Sequence, residues 1–346
     1  APATGRAPSA TAARNARIAI SPRFATRIFL NTGVPPSDNT TGACSNVTSS
    51  LVNVAWAGVF VLSISSLKGG VGKTTVTLGL ASAAWARGLR TLVVDLDPQS
   101  DVSTGLDARA QDGATISDVL RSPKPSTVRA AIARSAWGEG SRGVIDLMVG
   151  SPAALSFDTP NPSIREIWRL EEALAVVEED YDLVLIDCPP SLNALTRTAW
   201  AASDRVAVVT EPGLFSVAAA DRALRAVDEI RRELSPRLQP LGIIVNRAKH
   251  QSLEHQFRLG ELRDMFGPLV LSPALPERTS LQQAQGAAKP VHLWPGSSAE
   301  EMAANFDKLL DRIMRAGRLG TYAEAPATGD DEAPVTRGRQ RGRSNN

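Results

Sequence analysis

The chain has 346 residues, of which 43% are apolar, so it can bury the core of one large domain or two small ones. Its formal net charge is +2, and residues 1–58 hold five arginines against one acid, which leaves the remainder slightly acidic. Affinity for nucleic acid would therefore need a local basic patch. Cys44 and Cys188, far apart, indicate neither a disulfide framework nor a metal site, and they fit a reducing cytoplasm.

Residues 1–58 are rich in Ala, Ser, Thr, Arg and Pro and carry no sustained period of 3.6 or 2. We expect this segment to be a mostly disordered extension. Its arginine-rich, acid-poor composition is also compatible with an organellar targeting segment. The alternative that we favour is a natural start near Val59 or Val61, where the folded pattern begins abruptly.

From residue 59 onward, apolar strand-like runs alternate with helical patterns, which is typical of βαβ units. The alternation predicts one α/β domain over 59–317, a doubly wound, mostly parallel sheet with helices on both faces. No run reaches the roughly 18 apolar residues that a membrane span needs. The predicted strands are 59–65, 91–97, 144–149, 183–187, 205–210 and 241–245.

Residues 68–75 read K-G-G-V-G-K-T-T and lie between the first predicted strand and a helical stretch over 76–87. Strand, glycine-rich loop and helix follow the order of a phosphate-binding loop, or P-loop. Backbone N–H groups of such a loop and the helix N-terminus bind phosphates. The predicted nucleotide-binding residues are Gly69, Gly70, Val71, Gly72, Lys73, Thr74 and Thr75.

The ordinary P-loop pattern needs glycine at position 67, where this chain has Leu67. The form with a second lysine, Lys68, resembles the deviant Walker A motif of the ParA/MinD group of ATPases. That resemblance implies ATP and Mg²⁺ as cofactors. It also implies that Lys73 contacts the β- and γ-phosphates, and that Lys68 reaches across a dimer interface to the partner's nucleotide.

Two further strands end in aspartates, and the carboxyl ends of parallel strands face the ligand crevice. The string D-L-D-P-Q at 95–99 resembles the family's second motif. The resemblance assigns Asp97 to hydrolysis, through the attacking water, and Asp95 to the magnesium shell or the backbone of the switch segment. Asp187 ends an apolar strand like a Walker B motif and, with the Thr74 hydroxyl, is expected to hold Mg²⁺.

The resemblance also suggests roles for residues in the second half of the chain. Asn246, at the end of the last predicted strand, matches the asparagine with which the family reads adenine. Arg278 follows a segment similar to the family's I-P-R segment, with Glu277 as an additional residue. Arg278 is a candidate DNA contact, joined more weakly by Arg247, Lys249 and Arg258, although a solvated basic surface explains them as well.

Apolar residues in the stretch 299–315 recur on one face of a predicted helix, which core packing explains more simply than membrane binding. Residues 318–346 read as a disordered polar tail.

The resemblance implies an ATPase that forms an ATP-sandwich dimer and binds DNA non-specifically. It would partition chromosome, plasmid or other cargo in the cytoplasm at the nucleoid, with a ParB-like protein stimulating hydrolysis. The alternative is a MinD-like ATPase that cycles on membranes, and we expect no stable membrane anchoring. The sequence indicates neither the cargo nor the activating partner.

Overall fold

The computed structural model describes residues 59–110, 112–138 and 142–320, with the backbone alone for 318–320. Residues 1–58 and 321–346, to which most of the expectations about the termini apply, lie outside these ranges. The strands of the described part are β1 (Phe60–Ser65), β2 (Arg90–Asp95), β3 (Ile132–Arg134), β4 (Val144–Met148), β5 (Leu183–Asp187), β6 (Arg205–Thr210) and β7 (Gln239–Val245).

Helices fill most of the connections between these strands. They are α1 (Lys73–Ala86), α2 (Asp101–Gly105), α3 (Ile116–Arg121), α4 (Pro125–Ala130), α5 (Ile164–Ala175), α6 (Ala194–Ala201), α7 (Ser216–Glu233), α8 (Leu253–Phe266), α9 (Thr279–Gly286) and α10 (Ser297–Gly320). None of the helices in the described ranges is both long and apolar enough to cross a bilayer.

The strands form one sheet in the order β3-β4-β2-β5-β1-β6-β7. Every neighbouring pair is parallel except β3 and β4. β5 lies between β1 and β2, so Asp95 pairs directly with Asp187 across the two strand ends. The P-loop after β1 and the aspartates of β2 and β5 therefore meet at the same edge of the sheet.

Helices cover both faces of the sheet, which confirms the predicted doubly wound architecture. Successive strand residues point to opposite faces. In β1, Leu62 and Ile64 join a buried cluster with α1 and α10, whereas Val61 joins a second cluster with α3, α5, α6 and α7. β1 thus packs against apolar residues on both of its faces, as expected of a strand that helices cover on both sides.

Helix α10 begins two residues before the predicted start and ends at Gly320, beyond the predicted end at 315. Its apolar stripe packs into the core against α1, which confirms the core-packing interpretation. Gly79 makes this packing possible, because a Cβ atom there would lie 2.1 Å from the Phe306 ring. The buried stripe comprises Met302, Phe306, Leu309, Leu310 and Ile313.

The structure differs from the prediction mainly between β2 and β4. The chain leaves the sheet after Asp95 and turns at Asp97, whose carbonyl accepts the Ser100 N–H at 2.9 Å, so β2 is shorter than predicted. Helices α2, α3 and α4 and the antiparallel strand β3 follow. These elements have three to six residues each, too short for a periodic apolar pattern to identify them.

Candidate nucleotide-binding site

The P-loop has the backbone shape of an anion-binding nest. Gly70 and Gly72 have φ angles of 78° and 86°, the left-handed region that favours glycine. Gly72 is also the residue that precedes α1, and the Val76 N–H donates to its carbonyl at 3.0 Å. A Cβ atom added at Gly69 or Gly70 would meet no atom of residues 59–110, 112–138 or 142–317 within 4 Å, so the described residues leave this side of the loop open. The loop therefore fits a phosphate chain.

Lys73, the first residue of α1, is buried at the base of the loop. Its Nζ atom lies 3.8 Å from Oδ2 of Asp97, which is also buried. Asp97 is held in place by the Gln99 N–H, which donates to Oδ1 at 3.0 Å. The sequence-predicted pair of Lys73 and Asp97 is thus brought together at the phosphate side of the sheet edge.

Asp187 is fully buried and accepts hydrogen bonds from two hydroxyls of α1. Thr74 Oγ1 donates to Oδ2 at 2.8 Å, and Thr77 Oγ1 donates to Oδ1 at 3.0 Å. Burial raises the pKa of Asp187 to about 6, against the opposing effects of Lys73 and the threonines. The predicted magnesium residues Thr74 and Asp187 are therefore in direct contact.

Asp95 is fully buried beside Asp187, and its two oxygens differ. Oδ2 accepts from the Ser103 backbone N–H at 2.9 Å and from the Ser103 hydroxyl at 2.7 Å. Oδ1 is buried without a hydrogen-bond partner in the described part of the chain. Burial, and then the neighbouring Asp187 carboxylate, raises the pKa of Asp95 to about 7.

These oxygen atoms suit a hard divalent cation. Mg²⁺ prefers carboxylate, hydroxyl, phosphate and water oxygens in proteins. The Thr74 hydroxyl, the Asp187 carboxylate and Oδ1 of Asp95, which has no hydrogen-bond partner among the described residues, lie at one sheet edge beside the glycine-rich loop. The residues present therefore fit a magnesium–nucleotide complex.

Lys68 has different surroundings from Lys73. Its side chain is 51% exposed, and its Nζ atom lies 2.5 Å from Oε1 of Glu211, just after β6. Glu211 is itself 30% exposed. Ion pairs with this much exposure contribute about 0–1 kcal/mol, so Lys68 can leave Glu211 at little cost.

Asn246 and Arg247 follow β7 and lie against the P-loop. Nδ2 of Asn246 donates to the Val71 carbonyl at 2.9 Å, and Nη1 of Arg247 donates to the Gly70 carbonyl at 2.6 Å. Asn246 was expected to read adenine and Arg247 to contact DNA. In this structure both side chains bind loop carbonyls.

The remaining candidate DNA contacts form ion pairs within the chain. Nζ of Lys249 lies 3.1 Å from Oε2 of Glu277, and Nη2 of Arg278 lies 2.8 Å from Oε2 of Glu301. Arg258 is likewise placed between Glu254 and Glu261. The acidic partners neutralise much of the charge that a DNA backbone would encounter.

Some residues that contact the site were not found from the sequence. Glu211 could have been inferred, because it follows a predicted strand at the ligand edge. Ser103 and Gln285 gave no such signal. Nε2 of Gln285, in α9, donates to the Thr75 carbonyl at 3.3 Å, which connects α9 to the start of α1.

Comparisons with known proteins identify the family of this chain. A family model described as an AAA domain matches residues 59–240. The chromosome partitioning protein ParA of Caulobacter vibrioides is 32% identical over 243 residues, covering 68% of this chain and 86% of that protein. The chromosome-partitioning ATPase Soj of Thermus thermophilus is 31% identical over 259 residues, covering 74% and 97%.

A solved structure supports the fold. Cobyrinic acid a,c-diamide synthase of Mycobacterium smegmatis, with a bound ATP analogue and magnesium, has a TM-score of 0.62 at 24% identity, covering 76% of this chain and 97% of that one. The P-loop with two lysines, the aspartates at the neighbouring strand ends and the similarity to ParA and Soj proteins lead to one conclusion: the chain belongs to the ParA family of P-loop ATPases.

Proposed function

We propose that this protein hydrolyses ATP in the presence of Mg²⁺, and that ATP joins two copies into a sandwich dimer. The dimer binds duplex DNA non-specifically and partitions a chromosome, a plasmid or other cargo. A ParB-like or other partner stimulates hydrolysis, and the protein acts in the cytoplasm at the nucleoid. The observation that carries this proposal is the contrast between buried Lys73 and exposed Lys68 at one P-loop.

Within one subunit, each of the described groups has a separate role in phosphoryl transfer. The P-loop N–H groups bind the phosphates, and Lys73 supplies positive charge to them. Asp97, whose carboxylate lies 3.8 Å from Lys73 Nζ, would orient the attacking water. Thr74 and Asp187 would hold Mg²⁺, which neutralises charge on the phosphates when bound.

The dimer is supported by the surface around Lys68. Its partner Glu211 is followed closely by Leu214 and Phe215, which are 61% and 70% exposed. Exposed apolar groups beside a ligand site often mark an interface with another protein chain. A second copy facing this surface would bury them and would offer Lys68 a nucleotide phosphate in place of Glu211.

DNA binding is the part of the proposal that rests on the family. Relatives of this chain are named as chromosome partitioning proteins. Lys249 and Arg278 remain the proposed contacts, and each would exchange its acidic partner for a DNA phosphate. Such an exchange predicts weak and strongly salt-dependent binding.

Replacing Lys68 with alanine is expected to leave ATP binding within about twofold of wild type, yet to prevent ATP-dependent dimerisation. The matched variant Glu211→Gln frees the same lysine and should reach half-maximal dimer at an ATP concentration up to about fivefold lower. Sedimentation velocity across an ATP series measures both. Normal dimerisation of Lys68→Ala would exclude the cross-subunit role of Lys68.

The proposed function is tested by hydrolysis and co-sedimentation assays with ATP or ADP, using duplex DNA or anionic liposomes across a salt series. ATP-dependent, salt-sensitive sedimentation with DNA is the expected result. ATP-dependent binding to liposomes alone would instead support a MinD-like membrane cycle. Absence of magnesium-dependent ATP hydrolysis, with DNA and without it, would contradict the enzymatic part of the proposal.

A further inference from the structure

Two consecutive residues after β7 donate hydrogen bonds to two consecutive carbonyls of the P-loop. Asn246 Nδ2 donates to the Val71 carbonyl at 2.9 Å, across 175 residues of sequence. Arg247 Nη1 donates to the Gly70 carbonyl at 2.6 Å, across 177 residues. These two carbonyls belong to the peptide units that connect Gly70 to Gly72, the two glycines with positive φ angles.

Because the peptide unit is planar, a contact that fixes a carbonyl on one side of the loop also orients an N–H group on the other side. In a trans peptide, a carbonyl and the following N–H point in opposite directions. Fixing the Gly70 carbonyl therefore orients the Val71 N–H, and fixing the Val71 carbonyl orients the Gly72 N–H. These are N–H groups that a phosphate-binding nest directs at its anion.

The backbone around Asn246 and Arg247 is held firmly enough to set both donors. The Asn246 N–H donates to the Thr210 carbonyl at 2.8 Å, and the Ala248 N–H donates to the Leu275 carbonyl at 2.9 Å. Arg247 lies between them at a φ of 55°, which residues other than glycine seldom adopt. Asn246 fits so closely that a Cβ atom at Gly72 would lie 2.3 Å from its Nδ2.

We propose that Asn246 and Arg247 form a clamp on the back of the P-loop, which positions the Val71 and Gly72 amides for the phosphates of a nucleoside di- or triphosphate. The inference rests on the proposed ATP binding. The Arg247 guanidinium also polarises the peptide unit that it contacts, which strengthens the opposite N–H as a donor. Arg247 is then a positioning residue for phosphate, and neither side chain selects the base through this contact.

The test compares Mg-ADP with magnesium pyrophosphate, a ligand that has the phosphates and no base or ribose. In the absence of DNA, Arg247→Ala and Asn246→Ala should each lower the affinity for both ligands by the same factor, about five- to tenfold. Arg225→Ala removes an exposed arginine of α7 that is paired with Asp221, and this variant should bind both ligands as wild type does. Calorimetric titration measures ADP, and displacement of a fluorescent ADP analogue measures pyrophosphate.

Arg247→Lys separates positioning from general loss of folding. It retains a charged donor and should recover part of the lost affinity for both ligands. A lower affinity for ADP with an unchanged affinity for pyrophosphate would indicate contact with the base or ribose and would overturn the proposed clamp. If Arg247→Ala bound ADP and pyrophosphate as tightly as wild type, the proposed clamp would also be overturned, whether or not the variant lost DNA binding. A wild-type protein that binds neither ligand would instead contradict the proposed function itself.

Discussion

Replacing Lys73 with methionine is expected to destabilise the nucleotide-free fold by about 3 to 5 kcal/mol at neutral pH. Lys73 is buried 3.8 Å from Asp97 and also acts electrostatically on Asp187. Methionine has a similar length but no charge, so it leaves a cluster of buried carboxylates without their cation. Removing one partner of a buried ion pair costs more than the pair itself contributes.

The same substitution is expected to weaken ATP binding by about 100-fold or more, because a charged donor to phosphate is lost. The loss of stability should shrink at pH 5.5, where protonation of Asp95 and Asp187 removes much of the repulsion between the buried carboxyls. Urea unfolding at pH 5.5 and 7.5, with a chelator present, measures the first effect, and calorimetric titration measures the second. Lys73→Arg is the control that retains the charge. Equal stability of Lys73→Met and wild type at both pH values would contradict the charge argument.

Asp95→Asn is expected to stabilise the nucleotide-free protein at pH 8 by roughly 4 to 5 kcal/mol, at about 1.4 kcal/mol for each unit of pKa difference. Burial and the neighbouring Asp187 raise the pKa of Asp95 from 3.8 to about 7. Between these values the folded chain binds more protons than the unfolded chain. Wild-type stability should therefore be greatest below pH 4 as far as Asp95 contributes, and should fall as pH rises through 7.

Asparagine has the same shape and remains neutral, so this part of the pH dependence should disappear in Asp95→Asn. The groups around the carboxyl are Asp187, Asp97 and the Ser103 donors, and Asp187 will keep a smaller slope of the same sign. Chemical unfolding between pH 5 and 8, in chelator and without nucleotide, gives the comparison. Asp264→Asn, at an exposed position of α8, should instead run parallel to wild type. If the stability of Asp95→Asn changed with pH in parallel with wild type, the raised pKa of Asp95 would be contradicted.

The site residues that could be predicted from the sequence lie in short continuous motifs or directly after apolar strands. The contacts found only in the structure join residues that are far apart along the chain. The loop at 68–75 is continuous, and its glycines, lysines and threonines have defined relations to a phosphate chain. Asp95, Asp97 and Asp187 each follow an apolar run, and a parallel sheet brings such strand ends to one edge. The fold class followed from the alternation of strands and helices and is confirmed.

Contacts between distant segments were beyond sequence reasoning. Lys68 and Glu211 are 143 residues apart, and Arg247 and Gly70 are 177 apart. Nothing near Arg247 indicates that its guanidinium lies against a glycine carbonyl of the P-loop. Its basic character suggested a DNA contact, because charge is visible in a sequence and the direction of a side chain is not.

The sequence by itself determined the doubly wound class, because that class is expressed in apolar periodicity, and the resemblance of its motifs indicated the family. It also located the glycine-rich loop with its two lysines, because that motif is continuous along the chain. Only the tertiary structure decided which groups surround those residues. It placed Lys73 among buried carboxylates and Lys68 at the surface beside Glu211. It also placed Asn246 and Arg247 behind the loop. Those positions depend on strand order and on the hydrogen bonds from the segment after β7 to the P-loop, which no short stretch of sequence encodes.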